Sequence, residues 1–293
     1  MIIVDSNGLG YRSFHALKAM AGKEGNVTTG ITFGFVWAIL RLFERFQDAR
    51  FVFCWDSGGK RQLIFPEYKA KRKPQTEAEQ TERQAIYAQF DALRNQILPA
   101  MGFANQLHCA GYESDDLIAS VVGDARYAAI PTTIISSDHD LYQLLRHRQC
   151  QITAGPEASI VTRNSFFLKY GIKPGRWPAV KAIAGCPSDG VPGVPGVGEL
   201  TAIKFLKDEL PVSGKKWRSI ALSSDIIFRN ARLVLLPFAG TPQFELKQDS
   251  LAPGKIREVL SDLDFQSCLS ESNWRRWEAF GNGNPAANRS VGA

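Results

Sequence analysis

Apolar runs and helix-spaced apolar residues alternate in the first half of the chain. Residues 1–4 and 51–55 are unbroken apolar runs of the kind that form buried strands. The apolar residues between them are spaced as on one face of a helix: Phe33, Val36, Leu40 and Phe43. This spacing predicts a helix over 32–46. The order strand, helix, strand predicts an α/β fold with a mainly parallel sheet flanked by helices.

An acidic residue follows each predicted strand. Asp5 comes directly after the first strand and Asp56 after the second. A β-branched run at 132–136 predicts a further strand, and Asp138 and Asp140 lie just beyond it. Because parallel strands end at one edge of a sheet, we expect these carboxylates to converge there. Taken alone, Asp5 is explained equally well as a helix cap or an Asx turn.

A second group of acids lies at a predicted helix start. Glu113, Asp115 and Asp116 precede apolar residues at helical spacing in 117–122. An ordinary helix cap on a solvated loop is the simpler interpretation, because a helix N-terminus stabilises anions. Placed beside the strand-end acids, however, these carboxylates would repel one another unless cations neutralised them. Oxygen ligands without histidine favour Mg²⁺ or Mn²⁺ over zinc.

A basic stretch over 57–73 follows Asp56. Its cations are Lys60, Arg61, Lys69, Lys71, Arg72 and Lys73, against the single acid Glu67. Phe65 and Tyr68 lie between the cations. Because cations hold phosphates and aromatic rings stack on bases, this stretch predicts a nucleic-acid contact. A solvated basic face is the alternative interpretation.

The next segment, 75–98, is predicted to be a polar helix. Its apolar stripe is thin and consists of Ile86, Phe90, Leu93 and Ile97. The first part, over 76–84, has almost no apolar side chains. We therefore expect this part to lie away from the core and to project over the site as a mobile element.

A glycine-rich turn separates two predicted helices, over 177–184 and 199–206. The turn contains Gly193, Gly196 and Gly198. This is the helix–hairpin–helix pattern, in which backbone amides hold a phosphate without reading sequence. A flexible linker is the alternative. Further on, Lys215 and Lys216 open a basic, largely helical segment that we expect to grip a duplex.

The composition is that of a soluble globular protein. The 293 residues are 44% hydrophobic and 22% charged, with a net charge of +6. A basic chain with an acidic cluster indicates a polyanionic partner and a metal site. No apolar run reaches membrane-spanning length and the N-terminus is not a signal peptide, so no membrane contact is expected. Five scattered cysteines without a CxxC pair favour a reducing cytoplasm.

In this order the motifs resemble the 5′-nuclease superfamily. It contains bacteriophage 5′–3′ exonucleases (flap endonucleases) and the 5′-nuclease domain of bacterial DNA polymerase I. The matching strings are FPEYKAKR, GYESDDLIAS, ISSDHDLYQLL and GCPSDGVPGVPGVGELTA. The later segment from KKW to ARLVLLP most resembles the T5-type phage branch. The resemblance implies a SAF/PIN-like sheet, a helical arch over about 57–98 and a helix–three-turn–helix module.

The resemblance also implies a reaction and the residues that carry it. The reaction is divalent-metal-dependent hydrolysis of a phosphodiester near a 5′ end or a flap junction. One metal group would consist of Asp56, Glu113 and Asp115, with Asp5 nearby through water. A second would consist of Asp138, Asp140 and Asp189, with Asp116 at the boundary. Two Mg²⁺ ions, for which Mn²⁺ may substitute, and a K⁺ ion at the hairpin are implied.

The same resemblance assigns roles in the basic stretch. Lys69 and Arg72 match phosphate-contacting residues and, with Asp115, are the catalytic candidates. Tyr68 and Tyr11 are candidates for stacking on bases.

Cys186 departs from the pattern of the family. The family has Gly-Asp-x-x-Asp, whereas this chain has Gly185-Cys186-x-x-Asp189, followed by Gly190 in place of the usual Asn. A protonated thiol contributes no charge and is a poor ligand for Mg²⁺. We therefore expect the second ion to bind weakly.

Two other functions fit the same residues. One is an RNA-directed nuclease of the PIN or RNase H-like kind that removes primers, although the hairpin motif favours duplex DNA. The other is a DNA-junction-binding protein with weakened catalysis.

We expect a monomer that acts on DNA with 5′ ends, flaps or nicks, or on an RNA primer–DNA hybrid, with a polymerase as a separate partner. The expected parts are a nuclease core over 1–170, a DNA-binding region over 171–280 and a disordered tail over 281–293.

Overall fold

The computed structural model describes residues 1–21, 30–46, 49–147 and 150–282. Its main sheet contains six strands: β1 Ile2–Asp5, β2 Phe51–Trp55, β3 Gln106–His108, β4 Thr132–Ile135, β5 Cys150–Thr153 and β6 Ile160–Val161. A small ribbon contains β7 Gly185–Cys186 and β8 Val191–Pro192. The strands predicted from apolar runs are therefore confirmed.

Thirteen α-helices surround the sheets in the described ranges. They are α1 Ser6–Ala21, α2 Gly30–Arg45, α3 Glu77–Ala92, α4 Leu98–Met101, α5 Ser114–Gly123, α6 Arg163–Tyr170, α7 Trp177–Ala184, α8 Glu199–Leu206, α9 Lys215–Ala221, α10 Ser224–Val234, α11 Pro253–Asp262, α12 Gln266–Leu269 and α13 Glu271–Asn282. None of the helices in the described part of the chain is both long and apolar enough to cross a membrane.

The main sheet has the order β3-β2-β1-β4-β5-β6, and only β6 runs antiparallel to its neighbour. Strand β1 pairs with both β2 and β4, so that Ile2 lies opposite Phe51 on one side and Thr133 on the other. The C-terminal ends of these three strands are consequently adjacent. In open α/β sheets, the crevice beyond such strand ends is where ligands bind.

Alternating side chains of the sheet pack into two hydrophobic cores. Ile2 and Val4 face the core formed with α1, α2, α4 and α11, while Ile3 faces the core formed with α5, α6 and α7. A strand that is buried on both faces is an unbroken apolar run in the sequence, which is why such runs located these strands. The second core extends from Leu117 of α5 to Val194 of the glycine-rich turn, so it contacts both the sheet and the hairpin module.

The predicted arch is formed by two short 3₁₀ turns, Lys60–Leu63 and Ala70–Arg72, and by α3. The side chains over 76–81 are exposed, as expected for a segment without apolar residues. The second half of α3 is anchored, because Gln89 Oε1 accepts hydrogen bonds from the backbone amides of Ile31 and Thr32 at 3.1 and 3.2 Å. A π-turn, Leu93–Ile97, joins α3 to α4.

The helix–hairpin–helix pattern is also confirmed. Helices α7 and α8 pack together on either side of the β7–β8 ribbon and the turn that follows it. Gly193 lies so close to Ala184 that an added Cβ would be 2.1 Å from the Ala184 carbonyl oxygen. Only glycine fits there, which explains one of the three glycines in the turn. Of the predicted tail, 281 and 282 belong to α13, and the rest lies outside the described residues.

Candidate active site

The strand-end acids and the helix-start acids line one open cleft. Its volume is about 440 Å³, and its walls carry Asp5, Asp56, Glu113, Asp115, Asp138 and Asp140 together with Lys69, Arg72 and Lys181. Asp56 and Asp138 are exposed at its mouth. The sheet order thus brings together acids that are separated by more than 130 positions in the sequence.

Asp5 lies at the buried centre of this arrangement, with 8% of its surface exposed. Its Oδ1 caps α1 by accepting a hydrogen bond from Gly8 N at 3.1 Å. The same carboxylate accepts hydrogen bonds from Ser114 Oγ at 3.0 Å and Ser136 Oγ at 2.8 Å. Asp5 therefore caps the start of α1 and also lines the cleft.

Two serines hold the acids in a fixed spacing. Ser114 N donates to Asp56 Oδ1 at 2.7 Å while its hydroxyl donates to Asp5. Ser136 Oγ accepts from Asp138 N at 3.0 Å while it donates to Asp5. Each serine thus connects the Asp5 carboxylate to a neighbouring acidic residue, to Asp56 through its carboxylate and to Asp138 through its backbone amide.

Glu113 is the N-cap of α5 and the best-neutralised acid of the cleft. Its Oε1 accepts a hydrogen bond from Lys69 Nζ at 2.8 Å and its Oε2 one from the Tyr68 hydroxyl at 2.9 Å. Arg61 Nη1 lies 3.3 Å from Oε2. Burial alone would raise the pKa of Glu113, but the nearby Lys69 and Arg61 lower it below its usual value.

The other acids are crowded and incompletely neutralised. Burial, followed by the charges of Asp56 and Asp138, raises the pKa of Asp5 to about 6. Burial, Asp138 and Asp5 raise the pKa of Asp115 well above its usual value. Such shifts mean that the ionised forms repel one another without a counter-charge. Oxygen ligands held at fixed spacing, with an unmet need for positive charge, fit Mg²⁺ or Mn²⁺. We call Asp5, Asp56, Glu113 and Asp115, with Asp138 opposite, the first group.

Asp140, Cys186 and Asp189 form a second group. One ligand atom from each can be chosen so that all lie within 4.8 Å of one another. Here protein cations are already in place, since Lys181 Nζ is 3.2 Å from Asp140 Oδ1 and Arg72 Nη2 donates to Asp189 Oδ1. Burial and the two acids raise the pKa of Cys186 to about 11, so its thiol is neutral. Burial and the charge of Asp138 raise the pKa of Asp140 to about 6, and its buried Oδ1 has no hydrogen-bond partner, so this group could also hold a cation.

The base of the arch directs cations into the cleft. Lys69 adopts the left-handed conformation, with φ 55, and its backbone amide donates to Asp189 O at 2.7 Å. A non-glycine residue in this conformation is uncommon and is held by its surroundings. This backbone conformation lets the Lys69 ammonium donate a hydrogen bond to Glu113. Arg72, one turn further along the chain, donates to Asp189 of the second group.

Three of the predicted site residues are buried in a supporting role, which corrects their assignments. Arg61 is 4% exposed and forms a bidentate ion pair with the fully buried Asp116. Arg61 is therefore not available to DNA, and Asp116 does not face the cleft as a metal ligand. Tyr68 is 5% exposed with its hydroxyl on Glu113, so it cannot stack on a base.

The remaining nucleic-acid candidates lie on the surface. Lys71, Lys215 and Lys216 are exposed, and Tyr11 lines the cleft with its ring packed edge-on to Phe90. Lys60 is half-buried, with Nζ 3.7 Å from the centre of the Tyr112 ring. An added Cβ at Gly196 or Gly198 would meet nothing within 4 Å, so the backbone there is open to a ligand. These positions stay predictions for DNA contact.

Sequence reasoning missed Ser114, Ser136 and Lys181. The serines carry no charge pattern that would mark them. Lys181 had a signal, because it is the one charged residue in the otherwise apolar α7, WPAVKAIA. A cation on a buried helix face implies an anionic partner.

Comparisons with known proteins show the family of the chain. The family model described as "5'-3' exonuclease, N-terminal resolvase-like domain" matches residues 1–171. The chain belongs to this 5′–3′ exonuclease family. It is 34% identical over 209 residues to the thermostable DNA polymerase I of Thermus aquaticus, covering 71% of this chain and 24% of the polymerase. It is 29% identical over 286 residues to DNA polymerase I of Mycobacterium tuberculosis, covering 91% and 30%. The chain thus spans 24% to 30% of the length of these relatives.

Solved structures show the fold. A T5 5′-exonuclease with bound divalent metal ions (zinc) superposes with a TM-score of 0.67 at 19% identity, covering 95% of this chain and 96% of that one. Flap endonuclease-1 from Methanococcus jannaschii gives a TM-score of 0.56 at 15% identity, covering 99% and 93%. The predicted α/β fold, a mainly parallel sheet flanked by helices, is confirmed by these matches.

Proposed function

We propose that this member of the 5′–3′ exonuclease family is a structure-specific 5′-nuclease. It hydrolyses phosphodiesters of DNA near 5′ ends or flap junctions, in the reducing cytoplasm, with Mg²⁺ or Mn²⁺ as cofactor. The observation that carries the proposal is the convergence of the first group in one cleft, directly beside Lys69 and Arg72. Cations of the arch and carboxylates of the sheet would then face the same phosphodiester.

The residues of the cleft have separable tasks. Asp56, Glu113 and Asp115 would hold the divalent cation, and Asp5 would fix the position of Asp56 through Ser114. When bound, divalent cations lower the pKa of water and offset charge on both the attacking and the leaving oxygen. Lys69 adds a positive charge that is fixed by the backbone of the arch, where charge develops on the phosphate.

We assign binding of the duplex to backbone amides of the hairpin module and to cations on the surface. The first amides of α8 have no acceptor within the helix, and the N-cap residue Gly198 provides no side chain to cap them. Lys215 and Lys216 extend the positive surface beyond the glycine-rich turn. Contacts of this kind bind phosphates, so binding would be blind to sequence and would weaken steeply with salt. A K⁺ ion at the hairpin belongs to this proposal, and comparing DNA affinity in K⁺ and tetramethylammonium salts tests it.

Mapping products on a 5′-flap substrate tests the proposal. The substrate is a labelled DNA duplex with a single-stranded 5′ arm, incubated with Mg²⁺, with Mn²⁺ or with EDTA. We expect cleavage near the junction or stepwise from the 5′ end with either cation and none with EDTA. Absence of cleavage under all conditions, with DNA binding retained, would identify the chain as a junction-binding protein instead.

A matched substrate with an RNA 5′ strand separates DNA from RNA specificity. We expect the DNA arm to be cleaved at least as fast as the RNA arm, because the hairpin module suits duplex DNA. Preference for the RNA strand would support the primer-removing alternative. A DNA polymerase as a separate partner is part of the proposal, and addition of a polymerase to a nicked substrate would test whether cleavage and synthesis are coupled.

A further inference from the structure

Arg83 of α3 reaches back to the base of the arch. Its Nη1 donates a hydrogen bond to the backbone oxygen of Arg72 at 3.0 Å. Arg72 is the last residue of the 3₁₀ turn Ala70–Arg72, and its side chain lines the cleft. A side chain 11 positions further along the chain therefore holds the point at which the chain leaves this turn.

The other end of the turn is held separately. The N-cap residue Lys69 donates its backbone N–H to Asp189 O at 2.7 Å, and its ammonium donates to Glu113 Oε1 at 2.8 Å. The Arg72 side chain is 53% exposed, and its guanidinium donates to Asp189 Oδ1 and to Ser188 O. Because a long, half-exposed side chain has many rotamers, the position of its backbone limits where the guanidinium can lie.

Arg83 is itself held by an aromatic ring one helical turn later. Its Nη2 donates to the Tyr87 hydroxyl at 3.2 Å, and its guanidinium carbon lies 5.3 Å from the centre of the Tyr87 ring. Tyr87 packs edge-on to the buried Phe90, which packs edge-on to Tyr11 of α1. A planar guanidinium with directed hydrogen bonds beside a ring is well oriented. Arg83 thus connects the arch base to the part of α3 that is anchored in the core.

A direct contact with a DNA phosphate is the simpler role for an arginine of the arch. The contacts of Arg83 favour a different role. Two of its N–H groups already donate to protein acceptors, one of them the backbone of the arch base. The walls of the cleft are formed by other residues, among them Arg72 itself.

We propose that Arg83 is a positioning residue, which fixes the backbone at Arg72 so that the Arg72 guanidinium stays in the cleft. Its effect on the reaction is then exerted through Arg72. A displacement of about 1 Å in a group that faces the reacting atoms can slow a reaction by about 100-fold, so a hydrogen bond outside the cleft can affect the rate. This inference rests on the proposed function, because it requires that Arg72 acts in cleavage.

Single-turnover cleavage of a 5′-flap DNA with Mg²⁺ tests the inference. Arg83→Met should cleave about 10-fold more slowly than the unchanged chain, while its affinity for the flap, measured by fluorescence anisotropy in EDTA, should stay within about twofold. Arg94→Met is the matched control, because Arg94 pairs with Asp91 at the other end of α3. It should leave both quantities within about twofold. A rate within twofold for Arg83→Met, or a loss of affinity as large as its loss of rate, would contradict the inference.

A double-mutant cycle shows whether Arg83 acts through Arg72. Arg72→Met should itself slow cleavage, because it removes the guanidinium from the cleft. The double variant R72M/R83M should be at most about twofold slower than R72M, since the group that Arg83 positions is already absent. Losses that multiply in the double variant, or cleavage at the full rate by R72M, would show that Arg83 does not act in this way.

Hydrogen exchange of the protein in EDTA separates this inference from the proposed function. The amides of Arg72 and Lys73 donate to Lys69 O and Ala70 O at 3.0 and 3.2 Å within the turn. In Arg83→Met they should exchange about fivefold faster or more, with the circular dichroism spectrum unchanged, and Arg94→Met should not alter them. If the unchanged chain cleaves no flap, the proposed function fails. If it cleaves the flap and exchange in Arg83→Met is unaltered, only this inference fails.

Discussion

Arg61 and Asp116 form a bidentate ion pair in the interior, with Nη1 to Oδ2 at 2.7 Å and Nη2 to Oδ1 at 2.8 Å. Arg61 Nε also donates to Leu233 O at 2.9 Å, and Asp116 Oδ1 accepts from Phe238 N at 2.8 Å. The pair therefore joins the arch base, the start of α5 and the end of α10. Because Arg61 also lies 3.3 Å from Glu113, it supports an acid of the first group from behind.

Breaking this pair should destabilise the fold. We expect Asp116→Leu to lower the free energy of unfolding by about 3–5 kcal/mol, because it leaves the Arg61 charge buried without its partner. The double variant R61M/D116L should cost less than D116L alone. Arg275→Met, in an exposed pair with Glu271 of α13, is the control and should cost about 1 kcal/mol or less. Urea unfolding followed by circular dichroism measures all three, and equal losses for D116L and R275M would refute the role of the pair.

Lys69 should matter more for catalysis than for binding. Lys69→Met should reduce the rate of cleavage by about 100-fold, since it removes a fixed positive charge beside the first group. Affinity for the flap substrate should change far less, because other cations hold the DNA. Lys73→Met, an exposed lysine just past the arch base, should change the rate by about threefold at most. Single-turnover rates and fluorescence anisotropy separate the two effects; similar rate losses in both variants would argue against the assignment.

The stability of the metal-free protein should fall as pH rises through about 6. The pKa of Asp5 is raised to about 6 in the fold from an ordinary value of 3.8, so the folded state binds the proton more tightly than the unfolded chain. The stabilising effect of protonation is complete below the unfolded pKa and is lost as pH rises through the folded one. The loss for Asp5 amounts to about 3 kcal/mol at most.

Unfolding in EDTA at pH 5 and pH 7 measures the upper part of this loss, about 1 kcal/mol for Asp5, and Mn²⁺ at 100 times its Kd should add about 2.7 kcal/mol at pH 7. Asp5→Asn should reduce the pH dependence, and Asp140, whose pKa is also raised to about 6, should retain the rest. An unchanged profile in that variant would show that Asp5 does not titrate in this range.

Gly193 should be intolerant of any side chain. Gly193→Ala would place Cβ 2.1 Å from the Ala184 carbonyl, and we expect a loss of about 1–3 kcal/mol together with weaker DNA binding. Gly254→Ala in α11 is the matched control, because space around Gly254 is open and it lies outside the predicted DNA contacts. It should change the free energy of unfolding by less than about 1 kcal/mol. Thermal unfolding and anisotropy compare the two; a benign Gly193→Ala would mean that the turn can open away from α7.

The sequence predicted those parts of the molecule that depend on local pattern. The strands were visible because both of their faces are buried, and the acids that follow them were placed at one edge by the rule for parallel sheets. The helix start at Glu113 was visible from its apolar continuation. Each of these features depends on residues that are close in sequence.

What could not be predicted depends on pairing between distant residues. Arg61 belongs to a basic stretch, which by itself predicts a DNA contact. Only the fold shows that Arg61 forms an ion pair in the interior with Asp116, 55 positions away. The sequence likewise suggests that Tyr68 stacks on a base, whereas in the fold its hydroxyl donates a hydrogen bond to Glu113. The charge of a side chain near a site does not predict whether that side chain is exposed or which group it binds. Both depend on how the arch base packs against α5.

The most direct test of the central claim is the cleavage of a 5′-flap DNA by the unchanged chain and by Asp115→Asn at saturating Mg²⁺. If the converging acids form a cation-dependent nuclease centre, the unchanged chain cleaves near the junction, and Asp115→Asn loses about 100-fold or more in rate while still binding the flap. Equal cleavage by both chains, or cleavage that persists in EDTA, would contradict it.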